Sequence, residues 1–430
     1  MASTITNGGL MSRALKYSVR GGALYYAIFV MLILSMFGVL LLGYFQIKFK
    51  EDYLLSKKSE LNDNLRSAIT LLGAKPSTVP IGQTREIDLF SDSTAMVDLM
   101  VDRWGMLRKV TATAQWRNQV MKQIALMGEK ERKRPALWMP DNKSFVSLVG
   151  NSYIKGDCYL PRQGIRKGNA EGRYFEGPFL HKGALLQSNE RLPLLKENLI
   201  HYLNEYLSGV KSDRDSLVLW NEIKNQKEVS HPFSLKTMFV QAKGNLELEK
   251  GSFSDNIVFY SSDTIKVWPS VDLQDVLLLG RVIVFKGGYK GQLQAFARER
   301  ISVEQACKFE YPSFLGCFVK GTGFIIKISQ ERVIKGCVLA YSGSSEESDV
   351  LLWLKERSKI FGKAYVYGDC RFQGDIIGSL YCNRFVLKTS RAFYENFIID
   401  CSIDEAALPD EYVSFCLDDI HKLKMIRECL

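Results

Sequence analysis

The first strong pattern from the N-terminus is an unbroken apolar run. Residues 21–47, GGALYYAIFVMLILSMFGVLLLGYFQI, contain no charged side chain. That exceeds the ~20 residues that cross a ~30 Å hydrocarbon core, and the ~7–15-residue apolar stretch of a cleavable secretory signal. Tyr25, Tyr26 and Tyr44 stand near its ends, where amphipathic rings favour the membrane interface. The run predicts a transmembrane helix over 21–47, preceded by a basic tail or leader over 1–20. Directly after it, in residues 48–73, Leu54, Leu61, Leu65, Ala68 and Leu72 recur at spacings of seven, four, three and four. This stripe predicts an amphipathic helix continuing the first. Gly73 and Pro76 supply the stop.

Farther on, the period shortens to two. Ile87-Asp88-Leu89, the run from Met96 to Val101, and the stretch from Met106 to Met127 alternate, with Val110, Ala112, Ala114 and Trp116 on one side. A small antiparallel sheet over 84–128, packing on the outer half of the long helix, is expected. The charged connector at 129–135, EKERKRP, marks a boundary.

From 136 to 400 the texture becomes short apolar runs broken by Gly, Asp or Asn. One series, NIVFYS at 256, DVLLLG at 275, QLQAFA at 292 and PSFLGC at 312, has steps of 19, 17 and 20. An interleaved series, TIKVWP at 264, VIVFKG at 282, RISVEQ at 300 and GFIIKI at 323, has steps of 18, 18 and 23. Two strand series sharing a period near twenty predict a β-solenoid, in which each coil buries its apolar face by stacking on its neighbours. The octet YIKGDCYL at 153 recurs as YVYGDCRF at 365, which suggests one coil type at both ends of that array. Residues 192–208 form a helical excursion, with Leu195, Leu199, Tyr202, Leu203 and Tyr206 on one face and Gly209 as its stop. Residues 401–430, with seven acidic and three basic side chains, are expected as a C-terminal cap. The fold class is therefore mainly β, behind an N-terminal helix.

Composition adds location. The chain carries +10, and residues 101–185 hold sixteen Lys and Arg against seven acidic residues, so the charge is clustered. Arg108, Lys109, Arg117, Arg132, Lys133, Arg134, Arg162, Arg166 and Lys167 are the candidate anion-binding patch. Aromatic residues are interleaved with them. Phospholipid head groups or anionic glycans are the expected partners, and nucleic acid is a distant second. The competing reading is a solvated basic face near an acidic membrane. There is no Walker loop, HExxH, CxxC, GxSxG or EF-hand pattern, so no catalytic residue, metal or cofactor is expected. The Gly-rich segment 286–291, KGGYKG, lacks the helix and Lys-Ser/Thr of a phosphate loop and reads as a turn. Arg298, Arg300, Glu304, Asp369 and Asp375 are the groove candidates for polysaccharide chemistry, although their spacing fixes no acid–base pair. Nine Cys, eight of them after residue 306, sit mostly among apolar residues and read as core thiols in place of a disulfide framework.

The basic leader ending in Arg20-Gly21-Gly22, followed by an apolar and then an amphipathic half-helix, resembles the N-terminus of type IV pilins and type II secretion pseudopilins. The resemblance covers roughly residues 1–72. It implies prepilin-type processing between Gly22 and Ala23. The family's usual Glu at the fifth mature position is Ala27 here, as in minor members that lack it. A plain signal anchor is the alternative. The Gly-punctuated coils resemble right-handed β-helix proteins, and residues 282–317 look like single-pass bacterial envelope proteins with a pilin-like N-terminus.

Positive charges flank the apolar run on both sides, so their count does not decide orientation. A short tail followed by nearly 400 residues of folding chain favours an inner-membrane, single-pass protein with its C-terminal domain outside. The expected role is a structural or assembly component of the cell envelope, minor pseudopilin-like and associated with other such subunits. The alternatives are a membrane-tethered β-helix enzyme acting on polysaccharide and a cytoplasm-facing, bactofilin-like scaffold.

Overall fold

The computed structural model describes residues 22–91, 95–131, 133–210, 215–319, 326–342, 350–389, 392–417 and 422–429. Its first element is a single helix, α1 (Gly22–Ala74), of 53 residues. Apolar and amphipathic halves thus run without a break. Two units divide the chain, Met1–Asp63 and Asn64–Leu430. In the first, the described side chains from Gly22 to Gly38 are all exposed, and Lys48–Glu51 and Lys57–Glu60 form i,i+3 ion pairs on the polar turns that follow.

The second unit opens with the last turns of α1. Leu65, Ala68, Ile69 and Leu72 are buried there. A four-strand antiparallel meander follows: β1 (Thr84–Asp88), β2 (Met96–Trp104), β3 (Leu107–Trp116) and β4 (Gln119–Lys130). Alternation sorts its faces. Val97, Leu99, Val101, Val110, Ala112 and Ala114 are buried, as the period-two pattern requires, and Trp116 is half-buried at the hairpin end. Helix and sheet touch where Gly73 lies beside the Leu423 carbonyl and the Met127 methyl. The fifth strand is Lys422–Cys429, which pairs antiparallel with β4. The C-terminal segment expected as a cap therefore completes this sheet.

Everything between β4 and that last strand is an insertion dominated by one 21-stranded sheet. The sequence period reappears as register. Val258 faces Leu277, Leu277 faces Gln294 and Gln294 faces Phe314, steps of 19, 17 and 20 between parallel neighbours. In the second series Thr264 faces Val282 and Val282 faces Arg300, but Ile301 faces Ile326, so the last step is 25 and not 23. Residues 320–325, which lie between these neighbours in the chain, are outside the described residues. Like residues stack: Leu246, Ile265, Ile283, Ile301, Ile326, Leu352, Cys370 and Phe385 succeed one another in register, all essentially buried. Such a column buries its apolar surface by stacking alone.

The order of rungs departs from the order of the chain. From Asp215–Leu219 the stack climbs in sequence order to Asp375–Lys388. Its next rung is shared: Leu137–Trp138 and Ser402–Asp404 both pair with Asp375–Lys388 on one side and with residues 153–160 on the other. The rung at residues 181–187 comes last. The two copies of the octet consequently do not mark opposite ends. They are not even equivalent, because Cys158 faces Leu137, which faces Leu380, which faces Ala364, and not Cys370. The repeat that the structure uses is Ile-x-Gly: Ile334-Lys335-Gly336, Ile360-Phe361-Gly362, Ile376-Ile377-Gly378 and Ile154-Lys155-Gly156, each glycine at positive φ. After the last rung the chain returns through α2 (Glu197–Leu207), whose Leu199, Leu203 and Leu207 are buried. That helix lies along strands Val271–Phe285 and Lys290–Val303, flanking the stack.

A second core fills the space between the meander, α2 and one outer face of the stack. Trp104, Leu107, Leu126, Leu199, Leu203, Leu277, Phe296, Tyr365 and Phe415 belong to it.

Candidate functional site

α1 is the one described helix long and apolar enough to cross a membrane. Its exposed Leu24, Ile28, Phe29, Met31, Leu32, Phe37 and Leu40 surround the axis, so no single stripe turns towards a protein core. Gly22 and Ala23, the expected processing pair, occupy the first exposed turn. The leader before them, Arg20 and Gly21 included, lies outside the described residues.

The eight described candidate anion-binding residues are not all at the surface. Arg108 is 4% exposed, and its guanidinium donates through Nε and Nη2 to Glu129 Oε1 at 3.2 and 2.9 Å, so it cannot reach a ligand. Lys109 lies on β3, and Arg117 caps the β3–β4 hairpin with its guanidinium 4.8 Å over Trp116. Arg134 donates to Glu405 at 3.1 Å and to Asp410 at 3.4 Å. Arg166 stands 4.7 Å over Phe145, Lys167 stands 5.6 Å over Phe175, and Arg162 is exposed nearby in sequence. Lys133 is exposed without an ion pair among the described residues, and Arg132 lies outside them.

The groove candidates are likewise dispersed. Asp369 is buried and takes both Arg384 bonds, at 3.1 and 2.8 Å. Asp375 accepts from the Ser402 amide and hydroxyl, Glu304 pairs with Lys286, and Arg298 and Arg300 face solvent. The Gly-rich segment is a turn whose Tyr289 ring enters the core. Among the described residues no cluster of three His, Cys, Asp or Glu is arranged to hold a metal ion.

Sequence reasoning missed the junction between meander and stack. The β2–β3 turn inserts Trp104-Gly105-Met106 against the stack. Gln294 reads its backbone, accepting from Met106 N at 2.8 Å and donating to Trp104 O at 2.9 Å. The Trp104 indole donates to the Asp275 carbonyl at 2.9 Å, and Arg427 of the last strand pairs with both Asp275 and Asp255. Burial raises the Asp275 carboxyl above its ordinary range, against the opposing pull of Arg427 and Gln292. A Gln at an outward position of a buried strand was the available signal.

All nine thiols are buried and unpaired. Burial pushes Cys158, Cys337 and Cys429 up to about 12, and Cys317, Cys382 and Cys401 well above the ordinary thiol range. The thiolate is the nucleophile, so a raised pKa lowers reactivity at any working pH below it. At pH 8, iodoacetamide is expected to leave the native protein unmodified and to label nine sites in denaturant. Mass spectrometry checks this, and rapid labelling of any native Cys would place that residue outside the packed core.

No family model matches the chain, and no curated protein or solved structure matches it either.

Proposed function

We propose that the chain is a single-pass, membrane-anchored structural or assembly subunit of the bacterial cell envelope, laid out as a minor pseudopilin, and that its stacked strands form a right-handed β-helix. One observation carries this reading. A continuous helix exposes apolar side chains around its whole first half, while its last turns are buried in a unit that includes an antiparallel sheet from the same chain. An apolar surface of that extent is stable in lipid and not in water. The right-handed sense is chosen because parallel strands joined by crossovers usually take that hand. The meander and stack are held together by buried bonds at Gln294, which suits a rigid presented body better than hinged catalytic domains.

Alkaline carbonate extraction followed by N-terminal sequencing tests both parts. The protein stays with the membrane pellet and starts at Ala23. Release into the supernatant overturns the anchor, and a membrane-bound chain starting at Met1 overturns prepilin-type processing while keeping the anchor. The nine unpaired thiols favour a second orientation, in which the C-terminal unit faces a reducing cytoplasm. Impermeant thiol reagents applied to intact spheroplasts, with a Cys introduced at exposed Lys133, separate the two.

A further inference from the structure

The two ends of the stack are built differently. At the end that starts with Asp215–Leu219, the short helix α3 (Trp220–Ile223) closes the interior: Ile223 is buried, and the Trp220 ring stands 6.0 Å from both Phe253 and Phe259. At the other end the inward positions of the final coil, residues 161–187, turn polar. Where the preceding rung buries Leu148, Ile154 and Leu160, this coil has Lys167, His181 and Gln187. Leu185 is the exception. It continues the column of buried Cys158 yet is 54% exposed, next to Leu186 at 41%. An interior column therefore ends in the open.

The same coil carries mostly one sign of charge. Arg162, Arg166, Lys167 and Lys182 are exposed and form no ion pair among the described residues. Three of them lie on rings instead: Arg166 stands 4.7 Å over Phe145, Lys167 5.6 Å over Phe175 and Lys182 4.3 Å over Phe179. A ring positions a cation without neutralising it. The fifth cation, Arg173, is paired with Asp400. Of the coil's two carboxylates, Glu171 accepts from the Thr389 hydroxyl and Glu176 is exposed.

We propose that this final coil docks on an anionic phospholipid surface. Its cations meet the head-group phosphates, and Leu185 and Leu186 enter the boundary between head groups and acyl chains. Exposed aliphatic side chains among unpaired cations need a partner that is both acidic and apolar, and such a surface is both. A second copy of the chain fits less well. Two like ends would set cations against cations, and the opposite end is closed by α3. A nucleic-acid backbone suits the cations, but the leucines offer no face on which a base can stack. This contact is additional to α1 and does not depend on how the chain is anchored or processed.

Sedimentation of the full chain, held in phosphatidylcholine nanodiscs, with sucrose-loaded vesicles tests the proposal. Vesicles containing about 30 mol % phosphatidylglycerol carry the protein down with half-saturation below about 1 mM anionic lipid, and pure phosphatidylcholine vesicles carry down about tenfold less. Salt at about 0.5 M releases it. The double variants Arg166→Gln/Lys182→Gln and Leu185→Ser/Leu186→Ser each weaken binding by about tenfold at unchanged melting temperature. All four side chains are exposed, so both variants fold. Lys224→Gln/Lys227→Gln, at the closed end, stays within about threefold of the parent. Equal sedimentation with the two kinds of vesicle overturns the proposal, as does full binding by the charge variant. Full binding by the leucine variant overturns it too, leaving a soluble polyanion as the ligand. A chain that elutes apart from the nanodiscs refutes the anchor alone, and the same sedimentation of the free chain then decides this contact.

Discussion

Gly362→Ala is expected to destabilise the folded unit by about 3 kcal/mol or more. Gly336, Gly362 and Gly378 face one another in register, at φ +148°, +137° and +138°. A Cβ at Gly362 would sit 2.0 Å from the Gly336 carbonyl oxygen, and one at Gly378 would sit 2.0 Å from that of Gly362. Both the backbone conformation and the space exclude a side chain, and backbone cannot swing aside as a flexible side chain can. The stack would have to spread at that rung, breaking parallel bonds on both sides. Gly244 provides the comparison: it has φ +81°, but a methyl group there would meet nothing within 4 Å. Gly244→Ala should cost about 1 kcal/mol, the conformational part alone. Urea midpoints of the two variants check this, and similar midpoints would show that the glycine column is not tightly stacked.

Glu131→Ala is expected to cost about 3–5 kcal/mol, because it strands a buried ammonium. Lys363 is an outward position of the stack, yet its side chain is 3% exposed. Its Nζ donates to Glu131 Oε1 and to the Phe415 carbonyl at 3.1 Å, and stands 4.7 and 4.8 Å over the Tyr381 and Phe415 rings. Removing the carboxylate leaves that charge in an apolar, ring-lined site. The double variant Glu131→Leu/Lys363→Met should recover most of the loss, since burying two apolar groups leaves nothing unpaired. Equilibrium denaturation of single and double variants decides the matter. A single variant within about 1 kcal/mol of the parent would mean that water reaches the Lys363 ammonium.

Local chemistry was legible in the sequence. The uncharged stretch, the Leu65-Ala68-Leu72 stripe and the steps of 19, 17 and 20 each survive in the structure because chain neighbours alone determine them. What was hidden depends on distant partners. Arg108 and Glu129 are 21 residues apart and Arg134 and Glu405 are 271 apart, so a count of charge could not see that both arginines are paired with carboxylates of the same chain. The octet match misled for a related reason: a string of like residues says nothing about register, whereas the Ile-x-Gly recurrence, with its positive-φ glycines, carries the steric requirement. The final coil was invisible too, as residues 161–187 end the array only because residues 137–160 stack beyond residue 388.

That placement has a bearing on biosynthesis. Residues 137–187 leave the ribosome before the 215–388 array on which they stack, and the meander's outer edge at β4 stays open until residues 422–429 arrive. Helix, sheet and early rungs are therefore made first and finished last. A nascent chain of this kind carries unpaired strand edges through most of its synthesis. Its folding is governed by contacts of very long sequence separation, and so it is slow. If α1 is held in a bilayer, the chain's most apolar surface is out of water while those edges are still open.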